Sequence, residues 1–295
     1  MTLVRHELRI GDRPVTLLEG PAGWGERSPL AGYPSDPDAA ERAAAEAASD
    51  GWPPPVRPSV PVNALIDGAG DVDAGLAAFP CVKIKVGRPD ADDDVRLVEA
   101  VRAAAGDRVA LRVDANGARD VATALATIAR LEPFDLELVE QPVASMDDLA
   151  EVRRRAHPRA AAPSVRPRRR RRATRVAGHR RRIARTRRPR PGCARAADAV
   201  VLKVQPLGGV RAALRVAEAA GVPAIVTSMR ETSVGIAAGL ALAAALPELP
   251  YACGLAARMP GGDVVAEPLV PEAGMMRLRR VVPDPELLAR YEVVA

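Results

Sequence analysis

Short apolar runs rich in β-branched residues alternate along the chain with longer segments whose apolar residues recur at helical spacing. Several helical segments end in glycine, such as DDDVRLVEAVRAAAG and GGVRAALRVAEAAG. The predicted strands are VNALI (62–66), CVKIKV (81–86), VALRVD (109–114), LELVE (136–140), AVVLKV (199–204), PAIVTS (223–228) and YACGL (251–255). This alternation predicts a parallel sheet whose strands are joined by crossover helices.

The predicted strand ends recur at nearly even intervals. They lie 25 to 31 residues apart, except that Glu140 and Lys203 are separated by 63 residues. That gap leaves room for one further strand, which we expect near residues 158–164. Eight strands in this alternation predict a (β/α)8-type barrel. An open doubly wound sheet is the alternative, although no glycine-rich dinucleotide loop follows the first strand.

The basic charge of the chain is concentrated in one segment. The formal net charge is +6, but residues 153–195 contain 19 arginines and no Asp or Glu. The rest of the chain therefore has 24 basic and 37 acidic residues. The high isoelectric point is a local property, and most of the surface is expected to be acidic.

Cysteine usage and hydropathy favour a cytoplasmic protein without a membrane partner. Cys81, Cys193 and Cys253 are far apart and odd in number, which suits a reducing compartment better than a disulfide framework. No run of 18 apolar residues occurs, and the first residues lack the apolar core of a signal peptide.

Lysine is almost absent from the chain, and its positions are informative. Of 43 basic residues only three are lysines, namely Lys83, Lys85 and Lys203, and all three lie at predicted strand ends. Arginine stays protonated, whereas lysine can act as a base. Asp114 and Glu140 end the two strands that follow Lys85, and facing carboxylates bind a hard cation such as Mg²⁺. The alternative is chance survival of lysine in a GC-rich coding sequence.

Several of these strand ends carry a family resemblance. KIK, LRVDANGA, LELVEQP and VVLKVQPLGG resemble the enolase superfamily, in particular its muconate-lactonising branch. GPAGWGE, LKVQPLGGV and TSMRETSVGIAAGLALAAALP are most similar to the o-succinylbenzoate synthases of that branch. The similarity extends over about residues 17–160 and 197–270.

The resemblance implies a fold class and a domain organisation. The fold is an α/β protein, a (β/α)8-type barrel with a small N-terminal α+β capping domain. We expect the cap in residues 1–57 and the barrel in residues 58–260, with an interruption by an arginine-rich segment at about 164–196. Residues 261–295 are expected to return to the cap.

The resemblance also implies a reaction, the Mg²⁺-dependent dehydration of 2-succinyl-6-hydroxy-2,4-cyclohexadiene-1-carboxylate to 2-succinylbenzoate in menaquinone biosynthesis. Lys85 would take the proton α to the carboxylate, Lys203 would stabilise the enediolate, and Lys83 would tune Lys85. The other residues implied are Asp114 and Glu140 for the metal, Asn116 beside the metal, and Thr227, Ser228 and Gly254 in the succinyl pocket.

Two alternatives to this reaction stay open at the level of sequence. An N-acylamino-acid racemase or dipeptide epimerase of the same superfamily would use Lys85 and Lys203 as two opposed acid/base groups. An inactive barrel with a basic arm would need no tight metal site. In the enzymatic interpretations the partner is a small-molecule carboxylate, no specific nucleic acid is expected, and the oligomeric state is left open.

The chain departs from the family pattern at the third metal carboxylate. The family carries it in an ADES-like motif, and alignment from Glu140 puts that position at Pro163. Neither Asp nor Glu occurs between Glu151 and Asp198. We therefore expect the chain to be impaired in metal binding and activity.

Three interpretations account for the arginine-rich run. A nucleic-acid-binding insert would use its arginines on phosphates, but the run has no aromatic residue for stacking. An ordinary solvated arm of this charge would be unusual without acidic residues. A shifted reading frame, from a sequencing error or a real lesion, fits best because the family pattern resumes at AADAVVLKVQP. We expect irregular structure over about residues 164–196.

Overall fold

The computed structural model describes residues 2–33, 36, 38–156, 175–179 and 196–293. In chain order, the strands are β1 (Val4–Ile10), β2 (Arg13–Gly20), β3 (Gly23–Arg27), β4 (Ser59–Pro61), β5 (Asn63–Ile66), β6 (Cys81–Lys85), β7 (Ala110–Asp114), β8 (Leu136–Glu140), β9 (Arg175–His179), β10 (Ala199–Leu202), β11 (Ala224–Val226) and β12 (Met275–Arg277). The α-helices are α1 (Ala39–Ser49), α2 (Ala91–Ala105), α3 (Val121–Leu131), α4 (Met146–Ala156), α5 (Val204–Leu207), α6 (Val210–Ala220), α7 (Ser233–Ala245) and α8 (Pro285–Tyr291). Single turns of 3₁₀ helix occupy Ala69–Asp71, Ala74–Ala78 and Glu132–Phe134.

A closed ring of parallel strands forms the centre of the structure. Strands β5 to β11 are hydrogen-bonded in chain order. A short extended segment at 253–254 closes the ring, because Cys253 bridges to Val62 before β5 and Gly254 bridges to Thr227 after β11. With this eighth member the sheet has no open edge, which confirms the predicted (β/α)8-type barrel.

The fifth place in the ring is taken by β9, which corrects the expected position of that strand. Its backbone pairs with β8 on one side and β10 on the other, and Ala177 lies beside Glu140 in the register. The expected position at 158–164 was set by repeat length alone and lies outside the described residues. A ladder is built from backbone N–H and C=O groups, so the sequence RVAGH can pair despite its charged surroundings.

The expectation of irregular structure across 164–196 is therefore wrong for Arg175–His179. The neighbouring residues 164–174 and 180–195 lie outside the described part of the chain. Whether a shifted reading frame produced this segment stays a prediction.

A three-stranded antiparallel sheet and one helix form the N-terminal part. Strand β2 pairs with β1 and with β3, and α1 packs on β3 through its alanines. The approach is close enough that a Cβ at Gly25 would lie 2.0 Å from the carbonyl oxygen of Ala44. Glycine in the strand and alanine in the helix are therefore what let the two elements touch.

The C-terminal part runs back along the barrel to the N-terminal sheet. Strand β12 pairs antiparallel with β4. After α8, Glu292 forms an antiparallel bridge with Leu8, and the amide of Val293 donates to the carbonyl of Glu7 at 2.9 Å. The exact division of the chain at residues 57 and 260 stays a prediction.

Helix α7 lies between the barrel and the N-terminal part and is buried on nearly all sides. Its sequence is apolar around the whole circumference, which is typical of a helix inside a core. Thr232 caps it, since the Thr232 side chain accepts from the amide of Val234. In the ranges that the structure describes, no helix is both long enough and apolar enough to cross a membrane.

Candidate active site

The predicted metal and base residues are brought side by side by the strand register. Lys85 lies beside Asp114, and Asp114 lies beside Glu140, on the neighbouring strands β6, β7 and β8. Parallel strands of a barrel end at the same face, so residues that are about 30 positions apart in sequence meet there. The sequence placed these three residues at strand ends, and the register brings them together.

Lys83 lies between the two carboxylates. Its Nζ is 2.9 Å from Asp114 Oδ2 and 3.2 Å from each carboxylate oxygen of Glu140. Burial alone would lower the pKa of Lys83, but attraction from Glu140 and Asp114 and hydrogen bonds to both raise it above its ordinary value. Lys83 is therefore held protonated, as a fixed positive charge beneath the cavity.

Lys85 lies one pleat further along the same face of β6 and is more accessible. Its Nζ donates to Asp114 Oδ2 at 2.8 Å and to Asn116 Oδ1 at 3.2 Å. Asn116 has a positive φ of 50° and its amide donates to Asp114 Oδ1 at 3.0 Å. Asparagine tolerates this backbone conformation better than most residues, and the turn it makes orients both Asp114 and Lys85.

Lys203 enters the site from the opposite side of the barrel, directly after β10. Its Nζ donates to Thr227 Oγ1 at 2.9 Å and to the carbonyl of Ser228 at 2.6 Å. Burial, with repulsion from Lys83, lowers the pKa of Lys203 to about 8. Its ammonium group also lies 6.0 Å from the centroid of the Tyr33 ring. Lys203 is thus a cation that can lose its proton near neutral pH.

The strand ends enclose a cavity of about 380 Å³. All three lysines of the chain line it, and so do Asp114, Asn116, Thr227, Ser228 and Gly254. Of the predicted site residues, only Glu140 does not line the cavity; it is buried beside Lys83. A cavity of this size suits a small-molecule ligand.

The wall predicted as the succinyl pocket is formed where β11 and the eighth member of the ring meet. The amide of Ser228 donates to the carbonyl of Gly254 at 2.8 Å. A Cβ at Gly254 would lie 2.9 Å from Thr227 Cγ2. Glycine at this position therefore keeps the wall open beside Thr227.

Some lining residues were missed by sequence reasoning. They are Leu30, Ala31, Gly32, Tyr33, Asn63, Leu65, Met229, Arg230 and Ala257. Arg230 lies inside TSMRETS, a segment singled out for its family resemblance, and its charge at a predicted strand end was a usable signal. Tyr33 lies beyond the end of β3, and no sequence pattern marked it as a lining residue.

A buried polar network joins the N-terminal part to the strand ends. Gln205 accepts from the amide of Ser28 at 2.8 Å and lies 3.5 Å from Glu231 Oε1. Glu26 accepts from the Thr232 hydroxyl and, at 2.9 Å, from the amide of Gly235 in the first turn of α7. Burial, with repulsion from Glu231, raises the pKa of the Glu26 carboxyl to about 7. Ser28, directly after β3, is therefore held against the barrel by buried polar contacts with Gln205.

The geometry of the two carboxylates is compatible with a divalent cation. The carboxylates of Asp114 and Glu140 converge on one point, which the ammonium group of Lys83 occupies. Mg²⁺ is commonly held by one or two carboxylates and keeps several waters, so this donor set fits it. Across residues 2–156, 175–179 and 196–293, apart from positions 34, 35 and 37, no group of three or more His, Cys, Asp or Glu residues could hold a metal.

Comparison with solved structures agrees with the fold. A muconate cycloisomerase from Pseudomonas fluorescens has a TM-score of 0.75 at 20% identity, with 99% of this chain and 98% of that chain covered. A dipeptide epimerase from Enterococcus faecalis V583 has a TM-score of 0.71 at 18% identity, with 96% and 97% covered. At these identities the likeness establishes a shared fold.

Comparison with known sequences establishes the family. The family described as Enolase C-terminal domain-like matches residues 65–284. An o-succinylbenzoate synthase from Thermobifida fusca (strain YX) is 50% identical over 288 residues, which cover 94% of this chain and 85% of that protein. Another, from Mycobacterium bovis (strain BCG / Pasteur 1173P2), is 42% identical over 289 residues, with 95% and 82% covered. The chain therefore belongs to the o-succinylbenzoate synthase family of lyases in the enolase superfamily.

Proposed function

We propose that this chain is built for the Mg²⁺-dependent dehydration of 2-succinyl-6-hydroxy-2,4-cyclohexadiene-1-carboxylate to 2-succinylbenzoate, a step of menaquinone biosynthesis. The observation that carries this proposal is that every lysine of a chain with 40 arginines lines one cavity, beside Asp114. The relatives named o-succinylbenzoate synthase support the same reaction.

Lys85 is the proposed base. It is the more accessible lysine of β6 and its Nζ reaches into the cavity beside Asn116. Removal of the proton α to the substrate carboxylate leaves an enediolate, and the C–O bond to the β-hydroxyl then breaks. The same lysine returns its proton to the departing hydroxide, so that water leaves and the ring becomes aromatic. Base and acid roles in one residue require a group that can lose and regain a proton, as lysine can.

Lys203 and Lys83 act by charge. Lys203 faces Lys85 across the cavity, and as an ammonium group it stabilises the negative charge that develops on the enediolate. Lys83 is held protonated by Asp114 and Glu140. Its fixed charge lies one pleat from Lys85 on the same face of β6 and adds positive charge beneath the proposed base.

Asp114 and Glu140 are the proposed ligands of Mg²⁺, with Asn116 beside them. A bound Mg²⁺ supplies positive charge that stabilises the substrate carboxylate as it gains negative charge. Thr227, Ser228 and Gly254 form the proposed wall for the succinyl chain, because they line the same cavity opposite β6.

We further propose that the chain as written is impaired. The family pattern has a third carboxylate at the end of the fifth strand, and no Asp or Glu is present between Glu151 and Asp198. With one anionic ligand fewer, the ion is held less tightly and the electrostatic stabilisation is less preorganised. A chimera in which residues 163–195 are replaced by the corresponding segment of the Thermobifida fusca relative, here termed the restored chimera, would regain that ligand.

A racemase or epimerase is the second candidate function, because Lys85 and Lys203 lie on opposite sides of one cavity. The two would exchange the α-proton of an N-acylamino acid or dipeptide between them. Proton exchange into substrate in D₂O, followed by NMR with both substrate classes, separates the two candidates. An inactive barrel with a basic arm would catalyse proton exchange into neither substrate class and would not bind Mg²⁺ tightly.

The test of the main proposal is binding of 2-succinylbenzoate, measured by isothermal titration in the presence of Mg²⁺. The chain should bind the product, and Lys203→Ala should weaken that binding because the ammonium group facing its ring carboxylate is lost. In the restored chimera, turnover of the cyclohexadiene substrate should accompany binding. A restored chimera that binds no 2-succinylbenzoate, or that binds it without turnover, would overturn the proposed function.

A further inference from the structure

Arg230 and Asp67 form an ion pair across one side of the cavity mouth. Arg230 follows β11, and Asp67 follows β5 directly. The eighth member of the ring lies between those two strands, so the pair spans the wall that contains Gly254. Arg230 lines the cavity together with Thr227 and Ser228, which places a guanidinium group beside the proposed succinyl pocket.

The backbone at Arg230 is held in an uncommon conformation. Its φ is +57°, in a region that bulky residues seldom adopt. Arg13, on the N-terminal sheet, holds this conformation. Arg13 Nη1 donates to the carbonyl of Met229 at 2.8 Å and to that of Arg230 at 2.7 Å. The amide of Arg230 lies 3.3 Å from Ser228 Oγ. Strained residues that are over-determined in this way cluster at ligand-binding sites.

The charges of the cavity divide into two groups. The three lysines serve the reacting end, where Lys83 and Lys85 are engaged by Asp114. Among the described residues that line the cavity, Arg230 is the one further cation. The proposed substrate carries two carboxylates, and the reacting end binds only the one on the ring. The carboxylate of the succinyl chain needs its own partner at the other end.

Building on the proposed function, we infer that Arg230 binds the distal carboxylate of the succinyl chain and selects for substrates that carry it. A guanidinium group offers a planar fork of N–H donors that matches a carboxylate. Asp67 engages Nη2 and thereby orients this fork. Arg230 would thus distinguish dicarboxylates from monocarboxylates without taking part in proton transfer.

The test compares two ligands in three proteins by isothermal titration with Mg²⁺ present. The ligands are 2-succinylbenzoate and 2-butanoylbenzoate, which has a methyl group where the former has the distal carboxylate. The proteins are the parent chain, Arg230→Met and the control Arg258→Met. Arg258 is an exposed arginine that lines a different cavity, so the control removes an equal charge near the barrel mouth.

We expect Arg230→Met to weaken binding of 2-succinylbenzoate on the order of tenfold to a hundredfold and to leave 2-butanoylbenzoate unchanged. Arg258→Met should change neither, and Arg230→Lys should recover part of the affinity. Equal affinity of parent and Arg230→Met for 2-succinylbenzoate would overturn this inference alone. Equal weakening of the binding of both ligands would also overturn this inference, because it would mean that the substitution alters the shape of the cavity rather than removing a contact to the distal carboxylate. A parent chain and a restored chimera that both bind neither ligand would overturn the proposed function, and this inference with it.

Discussion

Lysine and arginine both carry a positive charge, but only lysine gives up its proton in the range where proteins work. At the scale of single residues, the cavity separates three environments for one side chain. Lys83 is held by two carboxylates, Lys85 contacts one carboxylate and the cavity, and Lys203 is half-buried against a hydroxyl and a carbonyl group. These environments give a fixed charge, the proposed base and a titratable cation.

The first prediction concerns the proposed base. Lys85→Arg in the restored chimera should reduce turnover by about a thousandfold or more, because the charge and reach persist while the ability to accept a proton is lost. The thermal midpoint of unfolding should change little, since the ion pair with Asp114 can persist. Turnover within about tenfold of the chimera, measured as formation of 2-succinylbenzoate, would remove Lys85 from this role.

The second prediction concerns the charge of Lys203. Its pKa of about 8 means that the ammonium form, which the proposed role needs, disappears as the pH rises through 8. Turnover of the restored chimera should therefore fall about tenfold per pH unit above this point. In Lys203→Arg the charge persists at high pH, so this fall should be absent from whatever turnover remains. The same fall in both proteins would assign it to another group.

At the scale of secondary-structure elements, the ends of most strands could be predicted from the sequence, but the position and pairing of the fifth strand could not. The spacing of Lys85, Asp114 and Glu140 was sufficient to place them on one face of a barrel, because parallel strands with crossover helices repeat at a nearly constant length. The fifth strand broke that regularity. Its sequence, RVAGH, lies within an arginine-rich run, and only backbone pairing with β8 and β10 identifies it.

Contacts made by loops could not be predicted from the sequence either. The pairing of Arg230 with Asp67 joins residues 163 positions apart, and no periodicity links them. The same holds for Tyr33, whose distance to Lys203 depends on how the N-terminal part sits on the barrel. Hydrophobic patterning predicts which face of an element is buried, but loop geometry depends on individual hydrogen bonds such as those of Arg13.

The third prediction belongs to the element that is altered in this chain. The restored chimera should bind Mg²⁺ at least about tenfold more tightly than the parent, because a third carboxylate adds an anionic ligand and limits the movement of the ion. Isothermal titration with Mg²⁺ on both proteins, alongside turnover, measures the difference. Equal affinity and equal turnover would mean that no ligand is missing from the parent chain.

At the scale of the whole molecule, the N-terminal part is joined to the barrel through buried acids. Glu26 on β3 reaches the first turn of α7, whose free amides and dipole attract a carboxylate. Burial opposes ionisation more strongly than these donors favour it, and Glu231 adds repulsion. The contact between Glu26 and the first turn of α7 is therefore sensitive to protonation.

The fourth prediction follows from the upward shift of the pKa of the Glu26 carboxyl. A carboxyl whose pKa is about 7 when folded, and near its ordinary value when unfolded, stabilises the fold at low pH. This stability is present below about pH 4.5 and is lost as the pH rises through 7, in total about 3 kcal/mol. Denaturant unfolding between pH 5 and 7.5 should show the decline, and Glu26→Gln should show much less of it.

Glu19→Gln is the matched control for that measurement, because Glu19 lies on the same sheet but is exposed. Glu19→Gln should show the full decline of stability as the pH rises. A decline of equal size in Glu26→Gln would show that Glu26 is ionised throughout this range and that other groups produce the pH dependence.

The scarcity of lysine makes amine chemistry selective for the active site. Reductive methylation with ¹³C-formaldehyde attacks accessible neutral amines, so labels are expected at the terminal amine, Lys85 and Lys203, whereas Lys83 is buried and held protonated. Both labelled lysines face the same cavity. Each labelled lysine then gives its own NMR signal, whose shift reports its protonation directly. A single protein, without any substitution, would thus yield the titration of every candidate acid and base lysine, together with its response to Mg²⁺ and to ligand.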